Sequence, residues 1–517
     1  MHRISTLWKA NIIAFISSFC VMVIELIAAR LLAPHIGVSL YTWTSIIGVI
    51  LGGIALGNYL GGKLADKHPS PLFLALIFFT GALLTIVILP SIKVVTTEDF
   101  FGNLPVMWNF ILKTACIFFM PAIVLSMVSP MVIKLALADL GKTGGVVGTI
   151  YAVSTTGAIL GTFMTGFYFI LWFGTNTIVW LVAIVLFLTG IVSWFAWRVP
   201  GRWSLSLMNI IIGASVTLTV LISFILFELR ESWRENYTRE SNYFAIRVLD
   251  GGNDIKVLVL DHLVHSYINP NEPTALDYYY LKVFKELVTY SIEDNNAPRV
   301  LHLGGGGYSF PRYLEAIYPA SVNEVVEIDP VVTQVAYEEL GLPSDTSIKT
   351  HNQDARLFLI QRRAEERYDV VIGDVFNDYA TPFHLTTLEF NQLVKFHMTE
   401  DGIYLLNLID DYERGRYMAS FIHTLRQTFN FVYLLSPLGG LEFTGTSTFV
   451  LAATDKPIDI DDYKQFVTEE GNKKALAIPH DENKLEEYLS KKNPILLIDD
   501  YVPTDILAAS LLADKHE

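Results

Sequence analysis

The chain contains little charge and almost no cysteine. Charged residues make up 17% of its 517 residues, and the formal net charge of −15 reflects an excess of acids. A protein that binds nucleic acid needs clustered Lys and Arg, so this balance argues against a nucleic-acid partner. The two cysteines, Cys20 and Cys116, lie in apolar runs, where buried helix residues are more expected than a disulfide. We also expect no metal site.

Apolar residues, by contrast, are abundant and concentrated in the first half. They make up 52% of the chain, and the long runs fall within residues 10–227. A helix that crosses ~30 Å of hydrocarbon needs about 20 apolar residues. The sequence therefore predicts a polytopic α-helical membrane domain of about seven helices, with the first retained rather than cleaved as a signal peptide. The predicted segments lie near residues 10–32, 41–62, 71–92, 107–133, 146–171, 176–197 and 204–227.

Four residues of this half are unusual for membrane helices. Pro121 and Pro130 predict that the fourth segment is kinked or broken. Glu25 and Arg30 lie in or at the end of the first segment, where charged side chains usually face a cavity or a partner. Glu25 either pairs locally, with Arg30 reaching the membrane surface, or belongs to a substrate path.

Two Gly-rich stretches of the membrane half resemble each other. They span residues 46–62 and 148–166, and each neighbours a loop that carries Lys. Such an internal echo indicates a repeated three-helix unit, a plan that is common in transporters.

The second half shows the pattern of a soluble α/β domain. A charged connector, 229–239, leads to two strands, 243–249 and 255–260, joined by a Gly-Gly-Asn-Asp turn typical of a β-hairpin. Short apolar strands then alternate with helices, which predicts a doubly wound, Rossmann-like, mostly parallel sheet. The predicted strands are 300–303, 325–328, 347–350, 369–374, 402–408 and 449–453, with a helix opening at 313–316.

Ligands bind such sheets at the carboxyl ends of the strands, which selects a few residues here. Gly304, Gly305, Gly306 and Gly307 form a loop after the first strand, and Glu327 follows 23 residues after Gly304. An acid at this spacing reaches ribose hydroxyls. Asp354 and Asp374 end or follow the next two strands. The loop is not a clean GxGxxG, so an S-adenosyl nucleoside fits better than a dinucleotide. The plainer alternative is a Gly-rich turn in an inert sheet.

At these residues the chain resembles the spermidine synthase (polyamine aminopropyltransferase) family, over roughly residues 236–455. Glu240-Ser241-x-Tyr243 resembles the family's ESxY, and Leu260–His265 resembles its LDGxxQ hairpin. Leu303–Gly306 with Arg312 resembles the glycine loop GGGDGGxxRE, and Val326–Asp329 is its VEID. Asp354 matches the acid of GDG, Asp374 matches the first acid of DSSD, and Pro382 and Phe390 stand where the next helix begins. The whole chain resembles the membrane-fused members, in which segments like Gly57–Lys67 and Leu497–Asp505 recur.

The resemblance implies that decarboxylated S-adenosylmethionine is the co-substrate and that an amine attacks the methylene beside its sulfonium. Asp374 is then the candidate base, and Tyr243 and Tyr278 are candidates to shape the amine pocket, with core packing as the alternative. The implied nucleoside-binding residues are Gly304, Gly305, Gly306, Glu327, Asp329 and Asp354, with His265 at the donor tail or purely structural.

The chain departs from the family's pattern at three positions. Gly307 replaces the acid of the glycine loop, Asn377 replaces the second acid of DSSD beside Asp378, and His265 replaces the hairpin Gln. In the soluble family these acids help to hold the amines, so their loss puts putrescine in doubt as acceptor. We expect a small-molecule amine or an amino lipid, with membrane lipid around the helices and a homodimer as an open option.

These patterns predict four parts and three candidate functions. The parts are a membrane domain (1–233), a β-hairpin subdomain (234–290), the Rossmann-like domain (291–455) and a C-terminal tail (456–517) that packs on it. The first candidate function is a membrane-bound aminopropyltransferase. The others are a transporter or membrane sensor with a non-catalytic nucleoside-binding domain, and a methyltransferase, which would lack the hairpin.

The basic residues predict the orientation in the membrane. They crowd alternate loops: Arg3 and Lys9, Lys63 and Lys67, Lys134 and Lys142, Arg198 and Arg202. The positive-inside rule then places the N-terminus in the cytoplasm. Seven crossings would put the soluble domain outside, where S-adenosyl donors are not expected. Either one segment is not a full crossing, or the domain is external and uses a different ligand. Of these two, we predict an inner-membrane protein with a cytoplasmic soluble domain.

Overall fold

The computed structural model separates into two compact units. One comprises Met1–Glu235 and Arg239–Ala245, and the other comprises Asn236–Thr238 and Ile246–Glu517. The residues that the structure describes are 2–37, 39–97, 101, 104–137, 143–196, 238–292, 295–363, 365–376, 381–437, 446–471 and 476–509. The division into the four parts given above stays a prediction.

The first unit is helical. Its described helices are α1 (His2–Ile36), α2 (Leu40–Lys67), α3 (Pro71–Thr97), α4 (Val106–Thr114), α5 (Met120–Ser126), α6 (Val128–Ala136), α7 (Thr143–Met164), α8 (Ile170–Trp172) and α9 (Thr175–Ala196). Six segments are long and apolar enough to cross a membrane: Thr6–Ile36, Leu40–Lys67, Pro71–Thr96, Met107–Ala136, Thr143–Phe169 and Thr175–Phe195. The predicted α-helical first half is confirmed, with six helices of membrane-spanning length among the described residues, and the predicted segment at 204–227 lies outside them.

The fourth spanning segment is broken at its prolines. A π-helical turn, Ala115–Phe119, joins α4 to α5 and directly precedes Pro121. Proline has no N–H and crowds the carbonyl four residues earlier, so the wider turn accommodates it. Between α5 and α6 the helix is interrupted at Met127, three residues before Pro130.

Arg30 has backbone partners outside its own helix. Its guanidinium donates to the carbonyl oxygens of Ser241 and, at 2.9 Å, of Asn242. Nearby in sequence, the carboxylate of Glu240 accepts from the backbone N–H and the hydroxyl of Thr175, each at 2.9 Å. Residues 239–245 therefore lie at the C-terminal end of α1 and the N-terminal end of α9.

The second unit begins with an antiparallel meander rather than a single hairpin. Strands β2 (Ala245–Gly252), β3 (Ile255–Leu260) and β4 (Leu263–Ile268) follow the short strand β1 (Thr238–Glu240). Asn253 and Asp254 both have positive φ, at 51° and 61°. This is the two-residue turn whose twist matches a hairpin, as the sequence predicted.

An eight-stranded sheet forms the body of this unit, in the order β12-β10-β11-β9-β8-β5-β6-β7. Five neighbouring strands of this sheet, β9, β8, β5, β6 and β7, run parallel to one another. The sheet continues beyond β9 with the antiparallel strands β11, β10 and β12. The strands are β5 (Arg299–Leu303), β6 (Val322–Val326), β7 (Lys349–His351), β8 (Tyr368–Gly373), β9 (Met398–Asp411), β10 (Phe431–Pro437), β11 (Thr446–Thr454) and β12 (Ala477–Pro479).

Helices cover both faces of the sheet, because its strands are apolar on both sides. They are α10 (Tyr279–Ile292), α11 (Ser309–Ile317), α12 (Pro330–Glu339), α13 (Ala355–Gln361), α14 (Leu388–Phe396), α15 (Tyr417–Leu425), α16 (Ile460–Gly471), α17 (Glu482–Lys492) and α18 (Thr504–Leu507). One buried core contains α13, α14, α15 and α17, and the other contains α10, α11 and α16. The predicted doubly wound architecture is confirmed.

Candidate active site

The site lies where the order of the parallel strands reverses. Strand β5 pairs with β6 on one side and with β8 on the other, so the loops after β5 and β8 diverge above the same edge. Gly304 follows β5 with φ of +94°, and a Cβ on it would lie 2.2 Å from the carbonyl oxygen of Asp374, which follows β8. Both facts require glycine there. The loop and Asp374 therefore lie side by side, where ligands bind in such sheets.

A pocket opens between these loops, the meander and α10. Its empty volume is about 850 Å³, part of which is open to solvent. The lining includes six of the residues proposed from the sequence: His265, Tyr278, Gly304, Gly305, Gly306 and Asp374. The size suits a nucleoside with a short tail.

Asp374 is held by two side chains that the sequence reading did not select. The hydroxyl of Tyr280 donates to Oδ2 at 2.8 Å, and Nδ2 of Asn407 donates to Oδ1 at 2.9 Å. Burial raises the pKa of Asp374 above its usual value, and the two hydrogen bonds offset part of the rise. A carboxylate with a raised pKa is a better proton acceptor than an ordinary Asp.

The other titratable groups on the pocket wall are neutral at pH 7. Burial and the neighbouring His262 lower the pKa of His265 to about 4, and burial lowers that of His302 to about 4. Burial raises the pKa of Tyr278 to about 12, and its hydroxyl donates to the carbonyl of Val264 at 2.8 Å. Among the described lining residues, Asp374 is the single carboxylate.

Glu327 is bound to the glycine loop. Its Oε2 accepts from the N–H groups of Gly305 at 2.9 Å and Gly306 at 3.1 Å, and its Oε1 accepts from Asp329 at 2.9 Å. Burial raises the pKa of this carboxyl, and the three backbone hydrogen bonds oppose the rise. Glu327 therefore fixes the loop conformation.

Three residues that the sequence predicted for the site, Asp329, Asp354 and Tyr243, do not line the pocket in the structure. Asp329 caps α12 by accepting from Val331, and Asp354 caps α13 by accepting from Leu357. Asp354 also pairs with His384 at 2.8 Å, which lowers its pKa. Tyr243 belongs to the first unit, and none of these three residues lines the described pocket.

Two buried polar atoms on the pocket wall have no hydrogen-bond partner among the described residues. They are the hydroxyl of Ser309, at the start of α11, and Oδ1 of Asn407, near the end of β9. Buried polar groups are normally paired, so these two atoms are candidates to bind a ligand. The strand-end rule could have found Asn407, whereas nothing in the sequence distinguishes Tyr280 within Tyr278–Tyr280.

The space beside Gly307 is already filled. A Cβ there would lie 2.3 Å from Cδ1 of Ile268 and 2.7 Å from Cβ of Ser266, both on β4. The hydroxyl of Ser266 also accepts from the Gly307 N–H at 3.1 Å. The acid missing from the glycine loop therefore has no room in this fold.

We predict that Gly307→Asp does not restore the family's acid. Overpacking typically costs about 1–3 kcal/mol, and a crowded carboxylate adds to this, so the free energy of unfolding should fall. Thermal unfolding of the purified protein measures the change. The double variant with Ile268→Ala, which opens the space, should recover part of the loss. A Gly307→Asp protein as stable as the parent would show that β4 does not fill this position.

Comparisons with known proteins find both aminopropyltransferases and methyltransferases among the relatives of this chain. No protein-family model matches the chain. The polyamine aminopropyltransferase of Vibrio vulnificus is 33% identical over 129 residues, which is 24% of this chain and 43% of that protein. The eEF1A lysine and N-terminal methyltransferase of Bos taurus is 34% identical over 120 residues, which is 21% of this chain and 17% of that protein.

Among solved structures, a probable spermidine synthase from Corynebacterium glutamicum aligns with a TM-score of 0.46 and 24% identity, over 51% of this chain and 96% of that one. The chain spans less than half the length of the curated relatives named above. The predicted spermidine synthase-like resemblance is confirmed, and these relatives do not show its fusion to membrane helices.

Proposed function

We propose that the protein is a membrane-bound aminopropyltransferase that moves an aminopropyl group from decarboxylated S-adenosylmethionine to an amine. The observation that supports this most is the Asp374 carboxylate. It lies in the pocket beside the glycine loop, is oriented by Tyr280 and Asn407, and has a raised pKa. The similarity to a polyamine aminopropyltransferase supports the same reaction.

In the proposed reaction, the acceptor nitrogen forms a bond to the methylene beside the sulfonium. The carbon–sulfur bond breaks, and its electron pair stays on sulfur as the neutral thioether of methylthioadenosine. The nitrogen becomes positively charged and gives a proton to Asp374. General-base transfer of this kind typically contributes about 10²–10⁴-fold in rate.

The loop residues would hold the nucleoside. Gly304 to Gly306 allow its sugar to approach the backbone closely, and Glu327 is the proposed ribose ligand. Glu327 must then exchange at least one of its loop hydrogen bonds for ribose hydroxyls. The unpartnered atoms of Ser309 and Asn407 are further candidates to bind the donor or the amine.

Methyl transfer is the second candidate, because a methyltransferase is among the curated relatives. The two reactions leave different thioethers. Purified full-length protein in lipid is incubated with an amine panel and either decarboxylated S-adenosylmethionine or S-adenosylmethionine, and the products are identified by mass. We expect methylthioadenosine from the first donor. S-adenosylhomocysteine from the second would indicate a methyltransferase, and no product from either would favour a nucleoside sensor.

The acceptor should carry fewer charges than putrescine. Each ammonium group of a dication needs a carboxylate to offset its desolvation, and the described pocket wall offers only Asp374. Asp499 of the tail is already paired with Arg356 at 2.5–2.7 Å. The positions of Asn377 and Asp378 lie outside the described residues.

We therefore predict that a monoamine or an amino lipid is used in preference to putrescine. Competition between butylamine and putrescine, scored by the alkylated amine that forms in lipid-reconstituted protein, measures the preference. Butylamine should react at least several-fold more efficiently. Efficient, saturable spermidine formation from putrescine would contradict this prediction and show that the missing acids do not matter.

A cytoplasmic site remains part of the proposal, because S-adenosyl donors are expected there. Residues 239–245 contact the ends of α1 and α9 that the positive-inside rule places away from the cytoplasm. The side of the membrane therefore stays a prediction, and the accessibility of a C-terminal tag in intact cells tests it.

A further inference from the structure

The membrane unit contains an internal repeat with a constant spacing of 104 residues. Five positions of α2 recur in α7 with the same residue: Ile46 and Ile150, Val49 and Val153, Gly53 and Gly157, Leu56 and Leu160, Gly57 and Gly161. A sixth pair joins Gly62 of α2 to Gly166 in the π-helical turn that follows α7. The echo seen in the sequence therefore has a definite register.

The packing of the helices follows the same register. Helix α7 packs on α1, and α2 packs on α5 and α6. A Cβ at Gly157 would lie 2.4 Å from the carbonyl oxygen of Phe15, and a Cβ at Gly57 would lie 2.2 Å from that of Ile123. Likewise, Gly161 approaches Phe19 and Gly53 approaches Phe119. The residues that the glycines contact obey the repeat as well, because Phe119 follows Phe15 by 104 residues and Ile123 follows Phe19 by 104 residues.

The first repeat comprises α1, α2 and α3, and the second comprises the segment α4–α6, then α7 and α9. Each Gly-rich helix packs on the first segment of the other repeat, and the third helices of the two repeats, α3 and α9, pack on each other. Since each repeat has three spans, the second begins on the opposite side of the membrane and is inverted relative to the first. Transporters built from inverted repeats bind their ligands near the bilayer midplane, where the repeats meet.

A chamber lies at this meeting point. Its empty volume is about 720 Å³. Among its lining residues, Met22 and Ser126 are related by the repeat, as are Val21 and Leu125. Eight lining side chains carry hydroxyl or amide groups, and none is charged: Ser17, Ser18, Asn58, Ser126, Ser129, Tyr151, Ser154 and Thr155.

The hydroxyls of the chamber are only partly satisfied by one another. Ser18 and Ser154 share a hydrogen bond of 2.5 Å between their oxygens, and Ser17 donates to the carbonyl of Leu125 at 3.3 Å. Ser126 is nine-tenths buried and lines the chamber. A polar group in this position within a membrane needs a partner, and a ligand in the chamber would supply one.

Glu25 does not line the chamber, but helical spacing places it on the same face of α1 as the lining residues Val21 and Met22. It follows Val21 and Met22 by four and three residues, which places it one helical turn beyond them. Asn11, Ser18 and Glu25 recur every seven residues, about two turns, and form a polar line of roughly 21 Å along the helix.

The charge of Glu25 has no basic partner among the described residues. The other acid of the six spans, Asp66, pairs with Lys134 at 2.8 Å near the helix ends. A carboxylate within the membrane usually faces a cavity and binds a cation there.

We propose that the chamber binds a small organic ammonium ion with a hydrogen-bonding body, whose ammonium group pairs with Glu25 and whose polar group bonds the chamber hydroxyls. The site is separate from the pocket of the second unit and does not depend on aminopropyl transfer.

The test uses full-length protein in lipid nanodiscs, carrying Asp374→Asn and without donor, so that turnover plays no part. Ligand-observed saturation-transfer NMR compares 4-aminobutan-1-ol with two matched compounds, the neutral butane-1,4-diol and the anionic 4-hydroxybutyrate. We expect the amine to bind at least tenfold more tightly than either, because an ammonium–carboxylate hydrogen bond is lost in both.

Variants locate the site. Glu25→Gln should weaken amine binding about tenfold and remove the preference over the diol, whereas Glu25→Asp should keep the preference. Ser126→Val should weaken the binding of the amine and of the diol by the same factor. The control is Thr156→Val on α7, because that exposed hydroxyl bonds the carbonyl of Ala152 at 2.9 Å and does not line the chamber.

Equal binding of the amine and the diol to the parent would overturn the proposal. So would unchanged selectivity in Glu25→Gln, or a loss in Thr156→Val as large as that in Ser126→Val. Binding of methylthioadenosine to each variant checks that the second unit is folded. Because no donor is present, failure here leaves the proposed transferase activity untouched.

Discussion

Replacement of Asp374 by Asn is expected to lower methylthioadenosine release by about 10²–10⁴-fold, the contribution of a general base. The amide is nearly isosteric and can keep partners at Tyr280 and Asn407, but it cannot accept a proton. Donor affinity should remain within a few-fold of the parent, because the glycine loop and Glu327 are untouched. Turnover and calorimetric binding of methylthioadenosine measure the two effects separately.

The same substitution should not destabilise the protein at neutral pH. Burial raises the pKa of Asp374 in the folded state, so its contribution to stability is fully present below the unfolded pKa and is lost as the pH rises through the folded pKa. Above that value the ionised group opposes folding, and Asn removes this cost. Full activity in Asp374→Asn would exclude Asp374 from the mechanism. If Asp374→Asn does not fold, Tyr280→Phe replaces it as the test, because it removes a hydrogen bond to Asp374 and leaves the carboxylate in place.

Replacement of Glu327 by Ala is expected to weaken methylthioadenosine binding by at least about tenfold. A hydrogen bond to a charged group is worth about 1.5–3 kcal/mol, and here the carboxylate is both the proposed ribose ligand and the acceptor for Gly305 and Gly306. Its loss would also free two N–H groups of the loop, so the penalty should exceed that of one bond.

Glu327→Gln separates the two roles. The amide oxygen can still accept from Gly305 and Gly306, while the ribose contact loses its charge. The amide NH2 then faces the N–H of Asp329, so the melting temperature should fall, but by less than in Glu327→Ala. Affinity should also fall less than in Glu327→Ala. Calorimetry that shows unchanged affinity in both variants would remove Glu327 from the nucleoside site.

The strand-end rule located the centre of the site from sequence because it depends on topology alone. Gly304 and Asp374 each follow a short apolar strand, and parallel strands bring such ends to one edge. The rule could not tell which acids face the pocket. Asp329 and Asp354 also stand at strand ends, but their side chains cap the following helices.

The partners of Asp374 were not predictable, because they come from elements distant in sequence. Tyr280 lies 94 residues before it on α10, and Asn407 lies 33 residues after it on β9. The filled space beside Gly307 depends in the same way on β4, since Ile268 and Ser266 reach the loop only in the folded chain. In the first half of the chain, hydropathy predicted the long apolar helices, whereas the chamber required the packing of α1 against α7.

Isotope transfer tests the central proposal most directly. Decarboxylated S-adenosylmethionine labelled with ¹³C in its aminopropyl carbons is incubated with butylamine and the lipid-reconstituted protein. We expect the label to appear in a new secondary amine, with unlabelled methylthioadenosine formed in equal amount and neither product formed by Asp374→Asn. Methylthioadenosine without a labelled amine, or label transfer that persists in Asp374→Asn, would contradict the proposal that this pocket catalyses aminopropyl transfer.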